Sequence, residues 1–186
     1  YGDMGREVRS RRYSVRFCRG QTLLELLVYT GLVVVISAVV TTMLVAMQRA
    51  IAQTVVSRRI HAAASVVLER IVRDARVAYD INELASTLGT HPGRVTLLVR
   101  GSGGGPDVAY EFTGTGSTIE LRREGVLQGA LVPDNVDATN LVFRQIATPV
   151  STALRIELTL HAEQGHASGT ERFYTTAVLR DAYNLQ

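Results

Sequence analysis

From Leu23 to Met47 the chain is almost unbroken Leu, Val, Ile, Ala and Met, relieved only by Glu25, Tyr29, Thr30, Gly31, Ser37, Thr41 and Thr42. At ~1.5 Å per residue this run makes a helix of roughly 37 Å, against about 30 Å of bilayer hydrocarbon. One membrane-spanning helix is the expectation. From Gln48 to Asp80 a second pattern takes over without proline or glycine: Val56, Ile60, Ala63, Val67, Ile71, Ala75 and Ala78 recur every three or four residues. That spacing is one apolar stripe along a continuing helix, predicted from Thr22 to Tyr79. Its other face carries the i,i+4 pairs Glu69/Arg73, Arg70/Asp74 and Arg76/Asp80, which suit a solvated surface.

Beyond Asp80 the period changes to two. Val95, Leu97 and Val99 alternate, as do Val108, Tyr110 and Phe112, and Ile119 and Leu121. Leu154, Ile156, Leu158 and Leu160 alternate with Arg155, Glu157, Thr159 and His161, the pattern of a half-buried strand. Turn chemistry falls at 101–106, 114–116, 133–135 and 165–169. A long helix followed by short strands predicts an α+β fold, with the helix stripe packed on the apolar face of an antiparallel sheet.

Charge changes meaning along the chain. The whole sequence carries +3 at neutral pH with a pI near 9.3, which by itself suggests an anionic partner. Yet Arg6, Arg9, Arg11, Arg12, Arg16 and Arg19 crowd the first twenty residues against only Asp3 and Glu7. Setting aside these six of 20 basic and two of 17 acidic residues leaves 14 against 15, so the remainder is near neutral. No basic patch with interleaved aromatics remains to read nucleic acid. A basic stretch before a first span fixes that end in the cytoplasm and places the following domain across the membrane. Cys18, the single cysteine, lies in the basic stretch, so the later domain is expected to have no disulfide and to rely on its core.

Glu25 is then an acid where lipid is expected. An ionised carboxylate costs about 2.5 to 3.5 kcal/mol at the bilayer centre and less near the interface, so it is usually paired or functional. Five residues before it stands Gly20, in Arg19-Gly20-Gln21-Thr22-Leu23-Leu24-Glu25-Leu26-Leu27. A basic leader, a glycine, an apolar helix and a glutamate at this spacing resemble the type IV pilin superfamily. The resemblance implies cleavage between Gly20 and Gln21 by a prepilin peptidase. It also implies N-methylation of Gln21, at a position where the family usually has phenylalanine. The new ammonium on Gln21, set beside Glu25 of a neighbouring subunit, would turn two costly charges into one pair. The alternative for Glu25 is a wet position at headgroup level.

Later segments extend the resemblance. Leu68-Glu69-Arg70-Ile71-Val72-Arg73-Asp74, Leu141-Val142-Phe143, Leu154 to Leu160 and Phe173-Tyr174-Thr175-Thr176-Ala177-Val178-Leu179-Arg180 are similar to minor pilins and to the type II secretion minor pseudopilin J. The expected organisation is a leader over 1–20, a transmembrane and assembly helix over 21–48, and an exported domain over 49–186. The implied function is that of a minor pilin or pseudopilin, a structural subunit of a type IV pilus or type II secretion pseudopilus. Its implied partners are other subunits, the prepilin peptidase and an inner-membrane assembly platform, with no nucleic acid. It would be a single-pass protein of the cytoplasmic membrane, its C-terminal domain periplasmic or extracellular. The alternative is a signal-anchored exported binding domain that does not assemble.

Enzymatic readings find little footing. His61, His91, His161 and His166 have no metal-ligand spacing, and His161 and His166, bracketing a hairpin, are expected to be solvent-exposed. Asp134, Asn135 and Asp137 crowd one loop but lack the glycine and terminal glutamate of an EF-hand. The glycines at 101 and 103–105 are not followed by Lys-Ser or Lys-Thr, so they read as a loop and not as a phosphate cradle. No serine lies in Gly-x-Ser-x-Gly. The expectation is no catalysis, no metal and no cofactor.

Overall fold

A computed structural model describes residues 23–101, 105–148 and 151–179. Gly20 and Gln21 lie outside the described residues. One α-helix, α1 (Leu23–Val77), is followed by β1 (Asp80–Ile81), a short 3-10 turn (Glu83–Ala85), β2 (Arg94–Val99), β3 (Val108–Thr115) and β4 (Thr118–Arg123). Then come β5 (Val126–Ala130), β6 (Asp137–Thr148), β7 (Ser151–Gln164) and β8 (Ala167–Val178). The fold is α+β. Contacts divide the chain into two compact units, residues 1–44 and 45–186.

Within the second unit every member of the predicted stripe is buried: Val56, Ile60, Ala63, Val67, Ile71, Ala75 and Ala78 share one core with the strands. The period-two residues meet them there, with Leu97, Phe112, Ile119, Leu154, Ile156, Leu158 and Leu160 all buried. Removing this apolar surface from water is the main driving force for packing helix on sheet, at roughly 25 cal/mol per Å².

The strands form two sheets, where one was expected. β1 to β5 make a five-stranded antiparallel meander, and β6 to β8 a three-stranded one. Tight turns set the registers. Gly116 (φ +60°) and Gly165 (φ +61°) each take the first place of a two-residue turn, and Glu124 (φ 53°) with Gly125 (φ 77°) close β4 onto β5. The 165–169 segment is therefore a turn of only two residues, with strand resuming at Ala167. Gly114, expected in a turn, continues β3 opposite Ile119, and its amide donates to the Gly93 carbonyl at 3.0 Å.

Bulges interrupt the alternation twice. Gln128 has no partner between Leu127↔Arg122 and Gly129↔Leu121, and Thr139 has none between Ala138↔Leu160 and Asn140↔Thr159. The second bulge moves the inward face from Ala138 to Leu141 and Phe143, a shift of one that simple alternation does not contain.

The segment 89–93 joins the two sheets. Gly89 and Gly93 amides donate to the carbonyls of Phe143 and Leu141 at 2.8 and 2.9 Å, and the Leu141 amide donates to His91 Nδ1 at 3.0 Å. This covers part of the free edge of β6. Gly93 is required there: a Cβ would stand 2.8 Å from the Leu141 carbonyl oxygen.

Candidate functional site

The first half of α1 is apolar on every side. An 18-residue window averages a hydropathy of 2.4 with none of it buried, so the helix is long and apolar enough to cross a membrane. Leu23, Leu24, Val34, Met43 and Met47 all lie exposed, a surface that water does not favour. Its threonine hydroxyls are satisfied within the helix. Thr30 donates to the Leu26 and Leu27 carbonyls at 2.9 and 3.0 Å, Thr41 to Ser37 at 2.8 Å and Thr42 to Val39 at 2.8 Å. These threonines can therefore enter hydrocarbon without an unsatisfied donor.

Glu25 remains as the one formally charged residue of the run. It stands exposed in the first turn of α1, where a carboxylate is favoured by the positive end of the helix dipole. The structure thus sets an acid on the surface of an apolar helix, close to its beginning. Gly20 and Gln21, the expected cleavage pair, fall outside the described residues.

The folded unit places the four histidines apart and gives each its own surroundings. His61 Nε2 lies 2.8 Å from Glu171 on β8 and its ring meets Phe173 edge-on at 5.3 Å, while Ser57, one turn earlier, donates to the same carboxylate at 2.9 Å. His91 accepts from Leu141 as above. His161, expected to be exposed, is half-buried in mid-strand, bonded to Thr170 at 2.8 Å and Glu163 at 3.1 Å. β7 runs to Gln164, which moves His161 off the turn and opposite Thr170. His166 is exposed at the turn itself.

Asp134, Asn135 and Asp137 are exposed around a turn in which the Val136 amide donates to the Pro133 carbonyl at 3.0 Å. Among the described residues no group of three or more His, Asp and Glu gathers in a metal-binding arrangement. Of the three i,i+4 pairs expected on α1, Arg70–Asp74 forms at 2.9 Å on a buried aspartate. Asp80 lies in β1 and caps the Ile81 amide at 2.8 Å, because the helix ends at Val77.

Two polar groupings were not anticipated from sequence. Ser57 and His61 share a helix face by their spacing of four, but nothing in the chain announces Glu171 as their partner. Tyr79 donates to Asp107 at 2.7 Å under the Arg100 guanidinium, 5.3 Å from its ring centre. That hydrogen bond to a carboxylate holds the phenol above its ordinary value of 10.0. Comparison of the chain with protein-family models, with curated proteins and with solved structures finds no match.

Proposed function

We propose that the chain is a minor pilin or pseudopilin, a structural subunit cut after Gly20 and built into a filament through its N-terminal helix. The observation that carries this reading is Glu25, an exposed acid near the start of a helix whose other surface is hydrocarbon. A helix–sheet domain whose stripe is fully covered leaves that apolar half as the segment still to be buried. In the membrane, lipid covers it. In a filament, neighbouring helices do, and the ammonium on Gln21 of one subunit neutralises Glu25 of the next.

In this reading the protein sits in the cytoplasmic membrane with its basic end inside and its folded domain outside. Its partners are the prepilin peptidase, other subunits and an inner-membrane assembly platform. Its role is structural and not catalytic.

Co-expression with a prepilin peptidase tests the first step. The wild-type chain is expected to shorten by the leader, and Gly20→Ala to stay full length; no shortening of the wild type leaves a signal-anchored exported domain in its place. Glu25→Ala is expected to insert and be cut, yet fail to enter sheared filaments. Its normal incorporation would remove the charge-pair account.

A further inference from the structure

Just past the apolar run, α1 and the tip of the β7–β8 hairpin enclose an open depression of about 720 Å³. Its lining includes the polar Arg49, Gln53, Gln164 and His166 and the apolar Val45 and Ala52. No carboxylate is among the lining residues. A site with one fixed cation, several neutral hydrogen-bonding groups and an apolar edge suits a phosphate attached to a lipid tail.

The hairpin is held where it is by packing on the helix. Glu171 is bound by Ser57 and His61, and Gly169 lies so close to α1 that a Cβ there would come 3.1 Å from Val56 Cγ1 and 3.4 Å from Ile60 Cδ1. Gln164 pairs with Ala167 across the Gly165–His166 turn, which fixes the tip.

Depth selects the ligand. The apolar run ends at Met47, and Val45 to Gln53 rises ~12 Å along a helix, enough to cross the headgroup layer of roughly 5 to 8 Å beside the hydrocarbon. We propose that this depression binds the phosphate of an anionic phospholipid headgroup. Arg49 provides the charge, the side-chain amides of Gln53 and Gln164 and the ring N–H of His166 donate to phosphate oxygens, and Val45 and Ala52 meet the glycerol and first methylenes. The proposal rests on the reading of Leu23–Met47 as a membrane span.

The full chain in vesicles tests it. Two quantities are read: the association of spin-labelled phosphatidylglycerol relative to phosphatidylcholine, and hydrogen exchange of the Gln164–Ala167 amides. We expect a preference for phosphatidylglycerol that Arg49→Gln lowers about fivefold, the size of one arginine at an anionic surface. We also expect His166→Glu to lower it, and exchange at the tip to be slower in phosphatidylglycerol than in phosphatidylcholine vesicles. Both substituted side chains are exposed, and unchanged circular dichroism confirms that the variants fold.

Equal exchange in the two lipids overturns the proposal. So does a preference that responds to Arg49→Gln but not to His166→Glu, which places the lipid away from the hairpin tip. Equal slowing by inorganic phosphate in phosphatidylcholine vesicles assigns a free-anion site and overturns the lipid. Alkali extraction separates the two levels: a chain stripped from the bilayer removes the span and the depression together, whereas a retained chain without lipid preference removes only the depression.

Discussion

His61 on α1 lies 2.8 Å from the Glu171 carboxylate on β8, joining two residues that are 110 positions apart in the chain. Ser57 shares that carboxylate, so one acid ties two consecutive turns of the helix to the last strand.

Glu171→Ala is expected to lower stability by about 1 kcal/mol, since the site is partly exposed and the hydrogen bonds are partly replaced by water. Thermal unfolding of the full chain in detergent reads it. In a double-mutant cycle with Ser57→Ala the two changes should be less than additive; strict additivity would deny the shared carboxylate.

Gly93→Ala should be more damaging than its one methyl suggests, by about 1 to 3 kcal/mol, because backbone of β6 stands in the way. The Cβ would meet the Leu141 carbonyl oxygen at 2.8 Å while the Gly93 amide must keep its bond to that oxygen. Denaturant unfolding measures the loss, and hydrogen exchange at Gly89, Gly93 and Leu141 should rise. Protection retained at all three would show that the junction tolerates the methyl.

Ile71→Ala removes a fully buried side chain from the helix stripe and is expected to cost about 2 to 5 kcal/mol. Val66→Ala, one of the exposed apolar positions on the same helix, should stay within about 0.5 kcal/mol. Paired melts of the two variants check the orientation of α1. Equal losses would contradict it.

Tyr79 gives a pH prediction in the alkaline range. Its folded-state pKa is raised above 10.0 by the bond to Asp107, so the folded protein holds the phenolic proton more tightly than the unfolded one. The contribution to stability is therefore present below the ordinary phenol value and lost as pH rises through the raised one. Tyrosinate absorbance should show a late-titrating group absent in Tyr79→Phe, and Asp107→Asn should bring it back toward the other tyrosines.

Helix α1 was legible because its signals are local. The mostly apolar run from Leu23 to Met47 needs no partner to be recognised, and the stripe from Val56 to Ala78 repeats at the helical period. β7 was legible for the same reason, as Leu154 to Leu160 alternate cleanly. β5 and β6 were harder, since unpaired Gln128 and Thr139 each break the alternation by one residue. A bulge is a relation between two strands, and only one of them is present in any local window.

The acid of the candidate site belongs to the legible part: Glu25 is conspicuous because its neighbours are apolar, and covalent order alone brings them together. The sequence by itself determined a membrane-length helix, an amphipathic continuation and an antiparallel α+β domain, because each follows from periodicity along one chain. Only the tertiary structure decided that there are two sheets, that the 89–93 segment joins them, and that Glu171 meets Ser57 and His61. The same holds for Arg49, which shares a depression with His166. Those relations depend on how the chain returns on itself, and geometry across a hundred residues leaves no periodic trace in the sequence.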